Sequence, residues 1–178
     1  MSASDRARWG TARTVADLGL LMAQWLEGDL ASRPAYEGRT GPDFETRPLV
    51  PTLAALCRRG FLTTDSQPGY DSAPFVQHAA VAGFAADQAL VRLLVRAAHR
   101  NHLLTTTGKP IVVTFRRRRP VTAFGGDLDD RNLTAHWKDD TSPQALAELR
   151  TATQIAIVAP EPGPAGNRLW NTLKGAVR

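Results

Sequence analysis

The sequence contains a single cysteine, Cys57, among its 178 residues. One thiol cannot form an intrachain disulfide, and it cannot supply the several thiolates that cysteine-based zinc sites use. Cys57 falls within a helical apolar pattern, so we expect it to be a small core residue. The four histidines, His78, His99, His102 and His136, are too dispersed to indicate a metal site, and we expect no metal.

Long apolar runs are missing as well. No stretch approaches the length that crosses a bilayer, and the N-terminal residues lack the apolar segment of a signal peptide. The sequence also lacks the Gly-x-Gly-x-x-Gly, Gly-x-x-x-x-Gly-Lys-Ser/Thr, Gly-x-Ser-x-Gly and His-Glu-x-x-His motifs. We therefore expect a cytoplasmic protein with no membrane partner, and the sequence identifies no catalytic residue.

Lysine is rare, since only three of the 22 basic residues are Lys and the remaining 19 are Arg. The net charge of +5 and the pI near 10.1 suit an anionic partner, but an Arg-rich composition is also typical of GC-rich coding genomes. The strongest charge run is Arg116–Arg119. In a strand at most two of these four side chains project the same way, and no aromatic residues are interleaved for base stacking. We therefore do not expect a nucleic-acid partner from this run.

Apolar spacing and turn residues divide the chain into helices and strands. Helices are predicted at residues 14–27, 48–59, 86–100, 142–149 and 167–177, and strands at residues 61–64, 75–84, 102–106, 111–116, 133–137 and 154–159. Thr14, Thr46 and Ser142 stand where helix N-caps are expected. Residues 29–44 have little periodicity and are predicted to be a long loop of a kind that is often functional.

The order of these elements predicts the fold class. Helices and strands are mixed without a regular βαβ alternation, which favours an α+β fold with mixed β-sheets flanked by about five helices. The length suits one domain, which we place at residues 14–178 after an N-terminal extension at residues 1–13.

A set of short motifs carries a family resemblance. Glu45-Thr46 precedes the second predicted helix, which ends at Arg58-Arg59-Gly60 and is followed by Phe61-Leu62-Thr63-Thr64-Asp65-Ser66-Gln67-Pro68. This order resembles the C-terminal regulatory domain of eukaryotic methylenetetrahydrofolate reductase, which has a Glu-Thr pair and a Gly-x-Leu-Thr-x-x-Ser-Gln-Pro segment at the same separation. Further matches follow in the same order at Phe75-Val76-Gln77-His78-Ala79, Trp137-Lys138-Asp139-Asp140 and Leu169-Trp170. The resemblance covers most of the chain, and the composition looks like that of a stand-alone actinobacterial relative.

The resemblance implies a ligand and a set of residues that hold it. It implies a domain that binds S-adenosylmethionine, and S-adenosylhomocysteine in competition, without being a methyltransferase. In this sequence the ligand-binding residues would be Glu45, Thr46, Thr63 and Ser66, with Gln67 in the same element and Thr114 and Thr122 as looser counterparts. The catalytic barrel of that family has no counterpart here, so the resemblance implies neither flavin nor folate chemistry.

The residue types suit such a ligand, although they have ordinary structural roles too. S-adenosylmethionine carries an ammonium, a carboxylate, a ribose diol, an adenine and a sulfonium, so its site needs an acceptor carboxylate and several small donors. Glu45 could accept from the ribose hydroxyls, and Thr63 and Ser66 could donate to the ligand. Without a ligand, Thr46 would be a plain N-cap, Ser66 and Gln67 turn formers, and Glu45 a first-turn charge.

Three functions remain open on the sequence. The first is a sensor or regulatory subunit that binds S-adenosylmethionine and acts on a protein partner or within a homodimer. The second is an enzyme that consumes the same ligand by transfer, cyclisation or cleavage. The third is an anion- or nucleic-acid-binding protein that uses Arg116–Arg119.

Overall fold

The computed structural model describes residues 1–36, 41–72, 75–109, 111–115, 119–125 and 130–178. In chain order the α-helices of this part are α1 (Ala3–Trp9), α2 (Val15–Glu27), α3 (Val50–Arg58), α4 (Gln88–Arg100), α5 (Asp130–Trp137), α6 (Pro143–Thr151) and α7 (Arg168–Ala176). Two 3₁₀ turns, Arg47–Leu49 and Gly163–Asn167, lead directly into α3 and α7. None of the described helices combines the length and the apolar content that crossing a membrane requires.

The strands form one five-stranded sheet and one hairpin. They are β1 (Phe61–Gln67), β2 (Tyr70–Ser72), β3 (Phe75–Ala85), β4 (Leu104–Thr107), β5 (Ile111–Phe115), β6 (Arg119–Phe124) and β7 (Thr153–Pro162). In the sheet, β1, β3, β7 and β4 pair in that order and β2 pairs with β3, whereas β5 and β6 pair with each other. Every one of these pairings is antiparallel.

The two faces of the sheet pack against different partners. Side chains alternate along a strand, so neighbouring residues of β3 and β7 enter different clusters. Val81 and Ile157 belong to the main core, which the helices close from one side. Ala80 and Val158 belong to a smaller cluster that contains Phe124 of β6. The sheet is therefore covered by helices on one face and by the β5–β6 hairpin on the other.

Local capping signals explain where several helices begin and end. The Thr14 hydroxyl accepts a hydrogen bond from the backbone N–H of Asp17, whose carboxylate accepts from the Thr14 backbone, and this reciprocal pair fixes the start of α2. The Ser142 hydroxyl likewise accepts from the Ala145 backbone N–H at the start of α6, without the reciprocal bond. Gly28 ends α2 with φ of 92°, a conformation that glycine adopts without steric cost. These boundaries confirm the predicted ones.

The predicted cap at Thr46 is wrong. Thr46 is itself in the helical region of backbone space and makes no side-chain capping bond. The reason is that a 3₁₀ turn starts at Arg47 and α3 starts only at Val50, so Thr46 does not stand at an α-helix entrance. Its hydroxyl is left without the role that an N-cap would give it.

The predicted α+β fold is confirmed, although the described residues form seven α-helices where about five were expected, and three further details differ. The described strands pair only antiparallel, whereas mixed sheets were expected. Residues 65–67, predicted as a turn, extend β1. Residues 133–137, predicted as a strand, lie in α5, because Leu133 and Trp137 are four residues apart and are buried together on one helix face.

The N-terminal helix α1 packs onto the rest of the molecule. Trp9 is fully buried, its ring lies edge-on to Trp137 at 6.3 Å between centroids, and its indole N–H donates to the Ser32 carbonyl at 3.0 Å. An aromatic pair of this kind adds to the energy of burying the two rings. Residues 3–9 therefore contribute to the core of the domain.

Candidate functional site

A small pocket lies where β1 passes α2 and the segment that leads into α3. Its volume is about 90 Å³. Met22, Trp25 and Leu26 of α2 and Leu53 of α3 give it an apolar side, and polar side chains give it the other. The polar and loop residues that line it are Arg33, Tyr36, Pro42, Asp43, Thr46, Thr63, Thr64, Asp65 and Ser66.

A β-bulge in β1 brings two of the predicted ligand-binding residues to the same pocket. In the ladder with β3, Thr63 pairs with Gly83 and Asp65 pairs with Ala82, so Thr64 is an extra residue. Residues three apart in a regular strand point to opposite faces. Because the bulge removes one step from that alternation, Thr63 and Ser66 both line the pocket.

The hydroxyls around the pocket differ in whether they already have a partner. The Thr63 hydroxyl lies 3.3 Å from the Cys57 sulfur, and the Thr64 hydroxyl donates to the Ala82 carbonyl at 3.4 Å. Within the described part of the chain, nothing hydrogen-bonds to the hydroxyl of Thr46 or Ser66. These two hydroxyls are therefore available to a bound molecule.

Arg33 forms the cationic part of the pocket wall. Its guanidinium carbon lies 4.9 Å from the centre of the Trp25 ring and 4.8 Å from the centre of the Tyr36 ring. Its terminal nitrogens reach the Pro34 and Thr64 carbonyls only at 3.3 and 3.4 Å. The Nε of Arg33 and the Nε1 of Trp25 are buried, and no group among the described residues accepts a hydrogen bond from either. Such orphaned donors are costly in a folded protein, and an acceptor placed in the pocket would satisfy them.

Two carboxylates provide the acidic part of the wall. Asp43 accepts a hydrogen bond from the Tyr36 hydroxyl at 3.0 Å. Loss of hydration raises the pKa of the Asp65 carboxyl, and the Ser66 backbone N–H and the Arg33 charge only partly oppose this shift. Desolvation also lowers the pKa of Arg33, although Asp65 and Asp43 oppose it. Desolvation is the largest influence on the ionisation of both groups, although Asp65 is exposed to solvent and Arg33 is half-buried.

The predicted site residues divide into three groups. Thr46, Thr63 and Ser66 line the pocket together. Glu45 is exposed and does not line it, and Gln67 donates through its side chain to the His78 carbonyl at 2.8 Å. Thr114 and Thr122 lie in β5 and β6, and their side chains fall outside the described residues.

The sequence did not identify Trp25, Arg33, Tyr36, Asp43 or Asp65 as site residues. Trp25 was predicted only as part of the apolar face of a helix, which it also is. Arg33, Tyr36 and Asp43 lie in the stretch predicted to be a functional loop, so that stretch was the available signal. Their grouping around the pocket depends on tertiary packing, which no local pattern encodes.

The pocket presents both signs of charge, hydroxyls and aromatic rings within a small space. This combination suits a molecule that carries an anion, a cation and a planar ring system. Its volume is below the roughly 300–1,000 Å³ of most small-molecule sites, so the observed shape holds only part of such a molecule. Within the described residues, no three His, Cys, Asp or Glu side chains are grouped in a way that could hold a metal ion.

Comparison with known proteins places the chain in a family. No curated protein matches it. A family model described as a domain of unknown function, DUF6919, matches residues 4–178. Because this match spans almost the whole sequence, the chain belongs to the DUF6919 family.

Proposed function

We propose that this chain binds S-adenosylmethionine, and S-adenosylhomocysteine in competition, in the pocket between α2 and β1. The observation that carries the proposal is the convergence of Thr46, Thr63 and Ser66 on that one pocket. Thr63 and Ser66 lie in β1, and Thr46 precedes the 3₁₀ turn that leads into α3, so the pocket brings together two segments in which the family resemblance implies ligand-binding residues. The bound ligand would act as a signal, through a protein partner or a second copy of the chain.

Each part of the ligand has a counterpart in the pocket wall. Arg33 and the Trp25 indole N–H offer donors to the ligand carboxylate, and Asp65 and Asp43 offer acceptors to its ammonium or ribose. The Trp25 and Tyr36 rings provide surfaces on which an adenine or a sulfonium can lie. S-adenosylmethionine carries a positively charged sulfonium, whereas S-adenosylhomocysteine has a neutral thioether. The carboxylates of the pocket would therefore favour S-adenosylmethionine.

Binding of the whole ligand requires the pocket to widen. The wall that contains Tyr36, Pro42 and Asp43 comes from a loop, and loops move more readily than the sheet opposite. Glu45 follows this wall and is exposed in the present conformation. In the proposal, Glu45 contacts the ligand only if the segment at residues 43–46 turns inward on binding.

Thermal unfolding with added ligand tests the proposal. A ligand that binds only the native state at about 100 times its Kd adds roughly 2.7 kcal/mol of stability, which for a chain of this length raises the Tm by roughly 5–10 °C. We expect this rise with S-adenosylmethionine and S-adenosylhomocysteine, and a much smaller one with methionine or adenosine alone.

Matched variants connect the shift to the pocket. The double variant Thr46→Ala/Ser66→Ala removes the two free hydroxyls and should abolish most of the shift, whereas Ser72→Ala, on the exposed strand β2, should leave it intact. The absence of a shift at millimolar ligand, or an undiminished shift in the double variant, would contradict the proposal.

A second candidate, an enzyme that consumes the same ligand, is favoured by one observation. Asp65 is a carboxyl with a raised pKa beside the Arg33 charge, and perturbed groups of this kind serve as general acids or bases. Cyclisation of S-adenosylmethionine would then give methylthioadenosine together with homoserine lactone, cleavage by water would give methylthioadenosine together with homoserine, and Asp65→Asn would stop either reaction. Recovery of the ligand unchanged excludes cyclisation and cleavage.

The third candidate function, anion or nucleic-acid binding, relied on Arg116–Arg119, and the side chains of that run lie outside the described residues.

A further inference from the structure

A second and larger depression lies between α4 and α7. It is an open groove of about 1140 Å³, bordered also by the residue that follows α3. It shares no lining residue with the pocket between α2 and β1. Among the described residues that line the groove, one is acidic, Asp87, and five are arginines: Arg59, Arg92, Arg96, Arg100 and Arg168.

Three of the arginines form a stripe along α4. Arg92, Arg96 and Arg100 are four residues apart, so they occupy one face of the helix. Each step of four residues rises about 6 Å, and the stripe is about 12 Å long. All three residues are exposed, as is Arg59 across the groove. The groove therefore has a continuous basic border.

The stripe is not explained by the stability of the fold. Arg168 is engaged by Glu161 at 2.7 and 2.9 Å, but within the described part of the chain no carboxylate forms an ion pair with Arg92, Arg96 or Arg100. Like charges four residues apart destabilise a helix by a few tenths of a kcal/mol, roughly 0.2–0.5 per pair. Of the three, Arg100 alone lies in the last turn, where a cation is stabilised by the helix dipole.

The rest of the groove indicates what kind of polyanion fits. Leu93 is the one large apolar side chain of the described groove that is well exposed, at 39%. An amphipathic helix docked in a groove uses several apolar anchors, so an acidic helical peptide would find too few partners here. A phosphate backbone needs no apolar anchor, and its charges recur every 3.4 Å or so along each strand of a duplex.

We propose that this groove binds the phosphodiester backbone of a nucleic acid without reading its base sequence. The described groove contains no aromatic side chain on which a base could stack. Of the uncharged polar residues that line the described groove, Asn101 and Thr172 already donate to backbone carbonyls, at 2.9 and 3.1 Å, which leaves Asn171 as the single amide with no such bond, too few to read a sequence. Contact is therefore electrostatic, and it involves Arg92, Arg96 and Arg100 on one border and Arg59 on the other.

Fluorescence anisotropy with a labelled oligonucleotide of about twenty residues tests this proposal. A mixed-sequence single-stranded DNA, its duplex and the matching RNA are each titrated with the full chain at about 50 and 200 mM salt. Neutralisation of four phosphates, one for each of these arginines, predicts a slope of log K against log salt of roughly −3.6 on duplex, which is about a 150-fold loss of affinity over this range. Scrambling the sequence should change the affinity less than twofold.

Charge-matched variants locate the site. Arg92→Gln/Arg96→Gln/Arg100→Gln should lose more than tenfold in affinity and most of the salt dependence. The control Arg8→Gln/Arg13→Gln/Arg47→Gln removes the same charge from exposed positions elsewhere and should lose little. Unfolding of each variant is monitored separately, so a folding defect is recognised as such.

Three outcomes would overturn the proposal. The first is no binding at the lower salt concentration. The second is an equal loss in both triple variants, which would mean that only net charge matters. The third is competition by polyglutamate as strong as by DNA at equal charge, which would indicate an acidic protein partner. The proposal is independent of the adenosyl ligand, so Thr46→Ala/Ser66→Ala should bind the oligonucleotides normally.

Discussion

The sulfur of Cys57 and the hydroxyl of Thr63 lie 3.3 Å apart and connect α3 to β1 next to the candidate pocket. Cys57 is fully buried, and this contact gives its thiol a polar neighbour in an otherwise apolar core. Thr63 both joins this contact and lines the pocket. The back of the pocket is thus attached to the core, and its opposite wall is a loop.

We expect the Cys57 thiol to be inert in the native protein. Burial raises its pKa to about 11 from an ordinary 9.0, so the reactive thiolate is scarce at neutral pH. Ellman's reagent should fail to react with the native chain and should titrate one thiol after denaturation. Fast labelling of the native protein would contradict the burial. The same shift predicts that stability from the buried thiol is complete below pH 9 and is lost as the pH rises toward 11.

Arg33 lies against two aromatic rings, so we expect its contribution to stability to depend on the planar guanidinium as well as on the charge. Arg33→Lys keeps the charge but loses the planar group that lies over Trp25 and Tyr36, and we expect a loss of about 1 kcal/mol in unfolding free energy. Arg47→Lys is the matched control, because Arg47 is exposed and its contact with the Phe44 ring is longer, at 5.8 Å. Denaturant unfolding measures both, and equal effects would show that the two-ring geometry adds nothing.

We expect substitution by alanine to have opposite effects on stability at two glycines that lie in helices. A Cβ on Gly19 of α2 would lie 2.6 Å from the Cys57 carbonyl oxygen of α3, which is closer than such atoms approach. Gly19→Ala should therefore cost about 1–3 kcal/mol. A Cβ on Gly175 of α7 meets nothing within 4 Å, and Gly175→Ala should stabilise the helix by about 0.5–1 kcal/mol. Calorimetric Tm values that move in the same direction would contradict the close approach of α2 and α3.

We expect the hydrogen-bonded carboxylate of Asp5 to cause part of the loss of stability at acid pH. Its carboxylate accepts hydrogen bonds from the Ser32 hydroxyl at 2.7 Å and backbone N–H at 2.9 Å, and the Ser32 bonds hold the pKa of Asp5 below its ordinary 3.8. The stability from this charge is complete above pH 3.8 and is lost as the pH falls through the lower native value. Asp5→Asn should flatten the acid limb of the stability curve, while Asp29→Asn, at an exposed position, should not. Parallel curves for all three proteins would refute this role.

Local chemistry accounts for the parts of the fold that the sequence predicts well. The caps at Thr14 and Ser142 and the helix end at Gly28 involve residues within a few positions of each other, so their signals survive in any tertiary context. In helix α5 the local pattern gave the wrong secondary structure. Alternating Leu133, Ala135 and Trp137 look like a strand, but burial of Trp137 against Trp9 selects the helical arrangement.

Of the residues that line the candidate site, the sequence predicted only three that carry hydroxyls. Thr46, Thr63 and Ser66 could be identified because they fall within short motifs that resemble a known family. The role of Arg33 could not, because it depends on the position of Trp25 eight residues earlier in α2 and of Tyr36 in the loop. Glu45 was expected in the pocket together with Thr46, but it is exposed and does not line the pocket.

The additional residue in β1 makes the pocket depend on strand pairing as well as on side-chain chemistry. Deletion of Thr64 would leave Thr63 and Ser66 two residues apart, so a regular ladder would still place both on one face. A chain that keeps all four residues but pairs them with β3 without a bulge would instead turn Thr63 and Ser66 to opposite faces. Its sequence motif would be unchanged, so the irregular pairing at this point is the criterion by which other chains can be judged to share the site.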